Sequence, residues 1–225
     1  MTNRFRQRNL SLLLVTIAVM GLVTAWWCYP AENQFSIMTC TISFLGSPDA
    51  HRNPGGWRFS QAGMTALLLL LLNLVVTRHR RLRATIGRVA VCSSGAILVA
   101  LGLMLLAVWV PDSRQPGWLG LRIGDWHTRM AILAIPFLGL GIAVDGVALL
   151  VSGVNWRALW PFQVYGVLAL LGTVMLAQWE AMCRRDPTLS HWPGEGLHST
   201  PLWEWILFSY LVGFLTWMAH GKLKC

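Results

Sequence analysis

Residues 60–77, SQAGMTALLLLLLNLVVT, contain no charged side chain and include six consecutive leucines at residues 67–72. A helix that crosses the hydrocarbon core of a bilayer needs about 20 apolar residues, so this stretch is typical of a membrane span. Five further windows have the same character, at residues 9–29, 89–110, 130–151, 158–179 and 201–219. The sequence therefore predicts an all-α, polytopic integral membrane protein, a bundle of about six transmembrane helices that forms a single domain over residues 1–225.

Composition agrees with this prediction, since 55% of the residues are hydrophobic and only 12% are charged. An ordinary globular domain has about a quarter of charged residues. The first window follows three arginines and also fits the pattern of a signal peptide. Its apolar run is longer than a usual signal core, so we interpret it as a retained first helix.

Basic residues predict the orientation of the helices. With six spans, eleven lysines and arginines fall on the side of the two termini and seven on the other. Cytoplasmic loops of membrane proteins carry the excess of such residues. We therefore expect the protein in the inner membrane of the cell, with both termini in the cytoplasm. The net charge of +9 then reflects topology and attraction to anionic lipid. Residues 78–88 are predicted to form a cytoplasmic loop. No nucleic-acid partner is expected, because the arginines at 78–83 in this loop lie directly against a membrane helix.

Tryptophan is abundant near the predicted extracytoplasmic ends of the helices. The indole ring favours the headgroup zone, where its apolar body is buried and its N–H stays wet. A membrane-interface belt explains such a distribution, and an aromatic-lined mouth for a lipid is the alternative. The residues concerned are Trp26, Trp27, Trp57, Trp109, Trp118, Trp126, Trp179, Trp192, Trp203 and Trp205.

The first predicted extracytoplasmic loop has two parts. Residues 35–46 mix apolar and polar side chains, which favours an amphipathic segment lying in the membrane interface. Residues 46–57, GSPDAHRNPGGW, are rich in turn-forming residues. We expect this second part to be ordered and to fold back over the helix ends, anchored by Trp57 and Phe59 on one side and by Ile42 and Leu45 on the other.

The same loop resembles a known family. Ser43-x-x-Gly46, followed by Asn53–Pro54, Gly56–Trp57 and a helix that opens at Phe59, is similar to the first-loop signature of the prokaryotic family called domain of unknown function 998. That family is distantly similar to the Frag/DRAM/Sfk membrane proteins, some of which take part in lipid remodelling. The likeness covers residues 40–151 and implies the six-helix topology more than any chemistry.

Two acid-x-His pairs, Asp49 with His51 and Asp125 with His127, are the candidate catalytic groups. A carboxylate beside an imidazole fixes its tautomer and raises its basicity. Ser43 or a bound water would then attack a lipid ester or amide, as in a membrane-embedded lipid hydrolase or acyltransferase. We expect the two imidazoles to converge beneath the first loop. The alternative is that these are solvated loop residues.

Further polar residues on the same side are candidate binding groups: Arg52, Asn53, Trp57, Glu180, Arg184 and His191. No HExxH or CxxC spacing is present, so the identity of any metal or cofactor stays unknown. Cys28 and Cys40 could form a disulfide on this side, or remain free thiols.

Asp145 lies well inside the fourth window, where a carboxylate costs about 2.5–3.5 kcal/mol on insertion scales. No basic residue is expected at a similar depth, so its predicted partner is a hydroxyl, Ser93 or Ser94, or water. The carboxylate marks either a functional path or a hydrogen-bonded clamp between helices.

Two functions are compatible with these patterns. One is a lipid-handling membrane protein, which binds or modifies lipid at its extracytoplasmic face. The other is a non-catalytic subunit that packs into a larger membrane complex. A lateral cavity lined by His51 and His127 favours the first, and a closed bundle with a broad apolar flank favours the second.

Overall fold

The computed structural model describes residues 2–191 and 194–220. Six of its helices are long and apolar enough to span a membrane, which confirms the predicted fold class. The long helices are α1 (Thr2–Trp27), α3 (Trp57–Ile86), α4 (Val89–Trp109), α5 (Ile123–Val151), α6 (Trp160–Arg185) and α7 (Thr200–His220). A four-residue helix, α2 (Ile42–Leu45), lies in the segment between α1 and α3.

Helices α3, α5 and α6 extend beyond the predicted apolar windows. Helix α3 continues from Thr77 to Ile86, because arginine is a good helix former and no glycine interrupts the chain before Gly87, which has φ +57°. At 1.5 Å per residue its 30 residues span about 45 Å, against a hydrocarbon core of about 30 Å. The prediction of a loop at residues 78–88 is therefore wrong, because residues 78–86 are helical.

Helix α3 lies at the centre of the bundle and contacts α1, α4, α5 and α7. The most extensive interface joins α4 to α5, whereas α6 has few contacts and packs on α7. Glycines allow the closest helix approaches. A Cβ on Gly21 of α1 would lie 2.7 Å from the Cα of Gly63 on α3, and one on Gly141 of α5 would lie 2.9 Å from the carbonyl oxygen of Ser93 on α4.

The bundle has two ends with different character. We call one end the loop face; it carries the segments at residues 28–56, 110–122, 186–191 and 194–199. We call the other the terminal face; it carries the short connections at residues 87–88 and 152–159 and the start of α1. Between them lies a core of buried apolar residues from α3, α4, α5 and α7, including Leu71, Ile97, Leu149 and Leu215.

Candidate functional site

The first and second segments of the loop face are joined by polar contacts. The Ser47 hydroxyl donates a hydrogen bond to the carbonyl oxygen of Asp112 at 2.5 Å, and the Arg52 guanidinium forms an ion pair with the Asp112 carboxylate. The Asp49 carboxylate accepts hydrogen bonds from the Ser113 hydroxyl at 3.1 Å and from the Arg114 N–H at 3.3 Å. These contacts fix the first segment across the end of α4.

Asn53 organises the turn that precedes α3. Its buried amide donates hydrogen bonds to the carbonyl oxygens of Ala25 at 2.9 Å and Leu45 at 2.8 Å, and accepts one from the Gly56 N–H at 3.1 Å. A Cβ on Gly56 would meet the Asn53 side chain at 2.5 Å and the Ala25 oxygen at 2.7 Å, so only glycine fits there. The predicted folding of residues 46–57 over the helix ends is thus confirmed, and Asn53 and Gly56 have structural roles within it. The predicted anchor at Phe59 is wrong, because this side chain is 45% exposed, while Trp57 is half-buried.

Within the preceding residues 35–46, only Ile42–Leu45 is helical, and its two apolar residues Ile42 and Leu45 are buried as anchors. Ile37 and Met38 are exposed. The Trp205 indole N–H of α7 donates a hydrogen bond to the carbonyl oxygen of Cys40 at 3.0 Å, which connects this segment to the last span.

The predicted Asp49–His51 pair is not assembled. The Asp49 carboxylate binds Ser113 and Arg114 instead, while His51 is exposed. The Ser43 hydroxyl shares a hydrogen bond of 2.7 Å with the Thr41 hydroxyl. Within the described residues, no hydrogen bond brings a histidine to Ser43, so these groups do not form a nucleophile and its base.

The predicted Asp125–His127 pair is also not formed. Both residues lie in the first turns of α5, and residues two apart on a helix point in different directions. Asp125 accepts a hydrogen bond of 2.9 Å from the Arg122 N–H and thereby caps its own helix. His127 Nδ1 lies 2.7 Å from the carbonyl oxygen of Ala107 and 2.9 Å from that of Val110, so its ring connects the start of α5 to the end of α4.

The predicted binding residues of α6 stand apart from this network. Glu180 and Arg184 form an i,i+4 ion pair of 2.6 Å on the helix surface, where their side chains are 66% and 76% exposed. The His191 side chain and Trp192 lie outside the described part of the structure. Among the described residues, no three His, Cys, Asp or Glu side chains are grouped as a metal would require. Cys28 and Cys40 are free thiols.

Asp145 has a different partner from the one predicted. Its carboxylate forms an ion pair with Arg78 of α3, and both side chains are 0% exposed. The Arg78 guanidinium also donates hydrogen bonds to the hydroxyls of Ser94 at 3.0 Å and Ser93 at 3.3 Å on α4. The expectation that no basic residue lies at this depth was wrong, because α3 continues past its apolar window. The predicted serines do take part, through Arg78.

An aromatic recess lies at the end of α1 on the loop face. It has a volume of about 340 Å³ and is lined by Trp26, Trp27, Tyr29, Pro30, Ala31 and Phe35. Tyr29 and Phe35 pack edge to face with ring centroids 5.1 Å apart, and Phe35 in turn contacts the Trp205 ring at 6.3 Å. Trp27 is 81% exposed. The recess therefore has a packed back wall of Tyr29 and Phe35 and an open front of tryptophan.

The back wall of the recess is electrically neutral. Burial raises the pKa of the Tyr29 phenol above its usual range, and the neighbouring Cys40 raises it further. The phenol is therefore protonated at any physiological pH. Arg52 acts in the opposite direction on this pKa, but its charge is compensated by Asp112.

Comparison of the chain with family models, with curated proteins and with solved structures gave no match. The resemblance of residues 40–151 to the family called domain of unknown function 998 therefore stays a prediction. What the chain can do has to be argued from its own geometry.

Proposed function

We propose that this chain is a multi-pass membrane protein that binds a membrane lipid at its loop face. The observation that carries the proposal is the aromatic recess at residues 26–35. The tryptophan side chain has an apolar ring body and a polar N–H edge. It therefore favours the boundary between the acyl chains and the headgroups of a bilayer. A recess of about 340 Å³ lies at the small end of the range of ligand-binding pockets, about 300–1,000 Å³.

The loop face is extracytoplasmic in this proposal, and the membrane is the inner membrane of the cell. The support is the distribution of basic residues, since the exposed Arg80, Arg83 and Arg88 lie near the terminal face. The recess then opens at the level of the outer leaflet headgroups.

The proposal is limited to binding, and it includes no hydrolase or acyltransferase step. Three of the residues predicted to be catalytic make contacts that join or cap backbone segments instead: Asp49, Asp125 and His127. The contacts of His127 Nδ1 leave its Nε2 as the candidate base, but a general base must lie within reach of the proton that it removes, and no hydrogen bond among the described residues joins a histidine to Ser43. Lipid retention in the recess requires no such group.

A second candidate function is that of a subunit in a larger membrane complex. The observation in its favour is the surface of α6, where Val167, Leu170 and Leu171 are exposed and few contacts connect the helix to the rest of the bundle. Such a flank fits either acyl chains or another membrane helix.

A photoactivatable phospholipid, with its reactive group on the acyl carbons nearest the glycerol, tests the first proposal. The full chain is reconstituted in vesicles, irradiated, digested and mapped by mass spectrometry. We expect adducts to concentrate at residues 26–35 and to fall in the double variant Trp26→Ala/Trp27→Ala. The matched control is Trp109→Ala/Trp118→Ala, which removes two similarly exposed indoles from the same face. Adducts spread evenly around the six helices would contradict lipid binding in the recess.

A further inference from the structure

The composition of the recess indicates which part of a lipid it holds. Four of its six lining residues are aromatic, and the other two are Pro30 and Ala31. Neither an arginine nor a lysine lines it, so a phosphate would find no cation there. The faces of aromatic rings carry the negative part of a quadrupole and attract a cation that lies within about 6 Å of the ring centroid.

One carboxylate directly follows a lining residue in the chain. Ala31, one of the lining residues, opens the 3₁₀ turn Ala31–Asn33, and Glu32 lies in the first turn of that element with its side chain exposed. Arg52 is the basic group whose charge acts on the Tyr29 phenol. Its guanidinium is ion-paired with Asp112 and lies over the Phe44 ring at 4.1 Å, so it adds no free positive charge.

The position of this turn is fixed. The Asn33 amide donates hydrogen bonds to the carbonyl oxygens of Ala50 at 3.1 Å and Arg52 at 2.8 Å. Tyr29 is buried behind it, with Phe35 against its ring. The segment that carries Tyr29, Glu32 and Phe35 is thus preorganised, which lowers the entropic cost of binding.

We propose that the recess binds the ammonium group of a zwitterionic phospholipid, with the cation in contact with two rings, that of Trp27 and one ring of the back wall. The inference rests on the proposed function, because it names the headgroup of the lipid that the recess holds. The phosphate and acyl chains of that lipid remain outside the recess, since 340 Å³ accommodates a headgroup but not a whole lipid. Choline and ethanolamine are the two sources of this chemistry, and a quaternary ammonium is the better ligand because it is more weakly hydrated.

The test uses three photoactivatable probes that differ only in headgroup: phosphatidylcholine, phosphatidylethanolamine and phosphatidylglycerol. Each is incorporated at the same fraction into vesicles of the reconstituted full chain. We expect the yield of adducts at residues 26–35 to be highest for the choline probe and lower for ethanolamine, with phosphatidylglycerol at least about fivefold below choline. Two cation–π contacts of about 0.5–1 kcal/mol each justify a ratio of this size.

Single variants separate the rings from the charge. Trp27→Ala should lower the choline yield by about three- to fivefold, while Trp27→Phe, which keeps an aromatic face, should restore much of it. Because Trp27 is so exposed, neither change should affect folding. Glu32→Gln should lower the choline yield by about twofold, and Glu195→Gln, an exposed carboxylate on a different segment of the loop face, should leave it unchanged.

The outcomes distinguish the ammonium inference from the proposed lipid binding in the recess. Equal adduct yields at residues 26–35 for all three probes would overturn the ammonium inference and leave lipid binding in place. A preference for phosphatidylglycerol would overturn the inference in favour of an anionic lipid. Adducts outside residues 26–35 with every probe would remove the proposed function itself.

Discussion

The Arg78–Asp145 pair inside the bundle and the aromatic recess at the loop face are the two most distinctive regions of this molecule. In the first, both charges are fully buried and paired with each other, and the guanidinium also donates hydrogen bonds to two serines, while its Nε has no hydrogen-bond partner. In the second, the rings of Trp26 and Trp27 are exposed, and no charged residue lines the recess. Buried charges that face each other hold two helices together, whereas exposed aromatic side chains are available for a ligand.

The ion pair gives the largest expected effect. Asp145→Ala leaves Arg78 buried without its counter-charge, which should lower the free energy of unfolding by about 3–5 kcal/mol. Thermal unfolding of the purified chain in detergent measures the loss. In the double variant Arg78→Met/Asp145→Ala, which removes both charges, most of the stability should return. A single variant as stable as the wild type would show that the pair is not the clamp between α3 and α5.

The Asn53 turn should be the next most sensitive position. Asn53→Ala leaves the carbonyl oxygens of Ala25 and Leu45 without a donor, at a cost of about 1–3 kcal/mol for each buried group that finds no new partner. Limited proteolysis within residues 46–57 should also become faster. The exposed Gln115→Ala on the second segment serves as the control. An unchanged melting temperature for Asn53→Ala would contradict its structural role.

His127 distinguishes the catalytic hypothesis from the structural interpretation. Since its Nδ1 bonds the last carbonyls of α4, His127→Ala should lower the free energy of unfolding by about 1 kcal/mol. His51→Ala, at an exposed position, should change stability by less than about 0.5 kcal/mol. Equal stability of the two variants would remove the assigned contact between α4 and α5.

The surface pair on α6 should give the smallest effect. Glu180 and Arg184 are largely exposed, and such pairs contribute about 0–1 kcal/mol. Glu180→Ala should therefore lower the melting temperature by no more than about 2–4 °C in detergent, with or without added salt. A large loss would mean that this segment of α6 has a partner in the assembled protein, which would favour the subunit function.

The helices of this chain were predictable, because apolar runs of about 20 residues have few other uses. Their ends were not. Arg78 follows the apolar run directly and was assigned to a loop, although the backbone continues as helix and turns this side chain into the core. Its pairing with Asp145 depends on the packing of α3 beside α5, which hydropathy does not encode.

The contacts of the candidate site residues were not predictable from the sequence either. The residue types of a catalytic cluster are present in Asp49, Asp125 and His127. In the structure, however, these side chains bind unpaired backbone groups at nearby helix ends and turns. The tryptophans near the end of α1 were predicted as a belt or as a lipid mouth. Only the packing of Tyr29 and Phe35 behind them distinguishes a recess from a belt.

The most direct test of lipid binding in the recess is the mapping of photoactivatable phosphatidylcholine adducts on the reconstituted full chain. The comparison is between Trp26→Ala/Trp27→Ala and the matched Trp109→Ala/Trp118→Ala. If the recess is the lipid site, adducts at residues 26–35 fall by about tenfold in the first variant and remain at the wild-type level in the second. An equal fall in both variants, or none in either, would contradict the assignment.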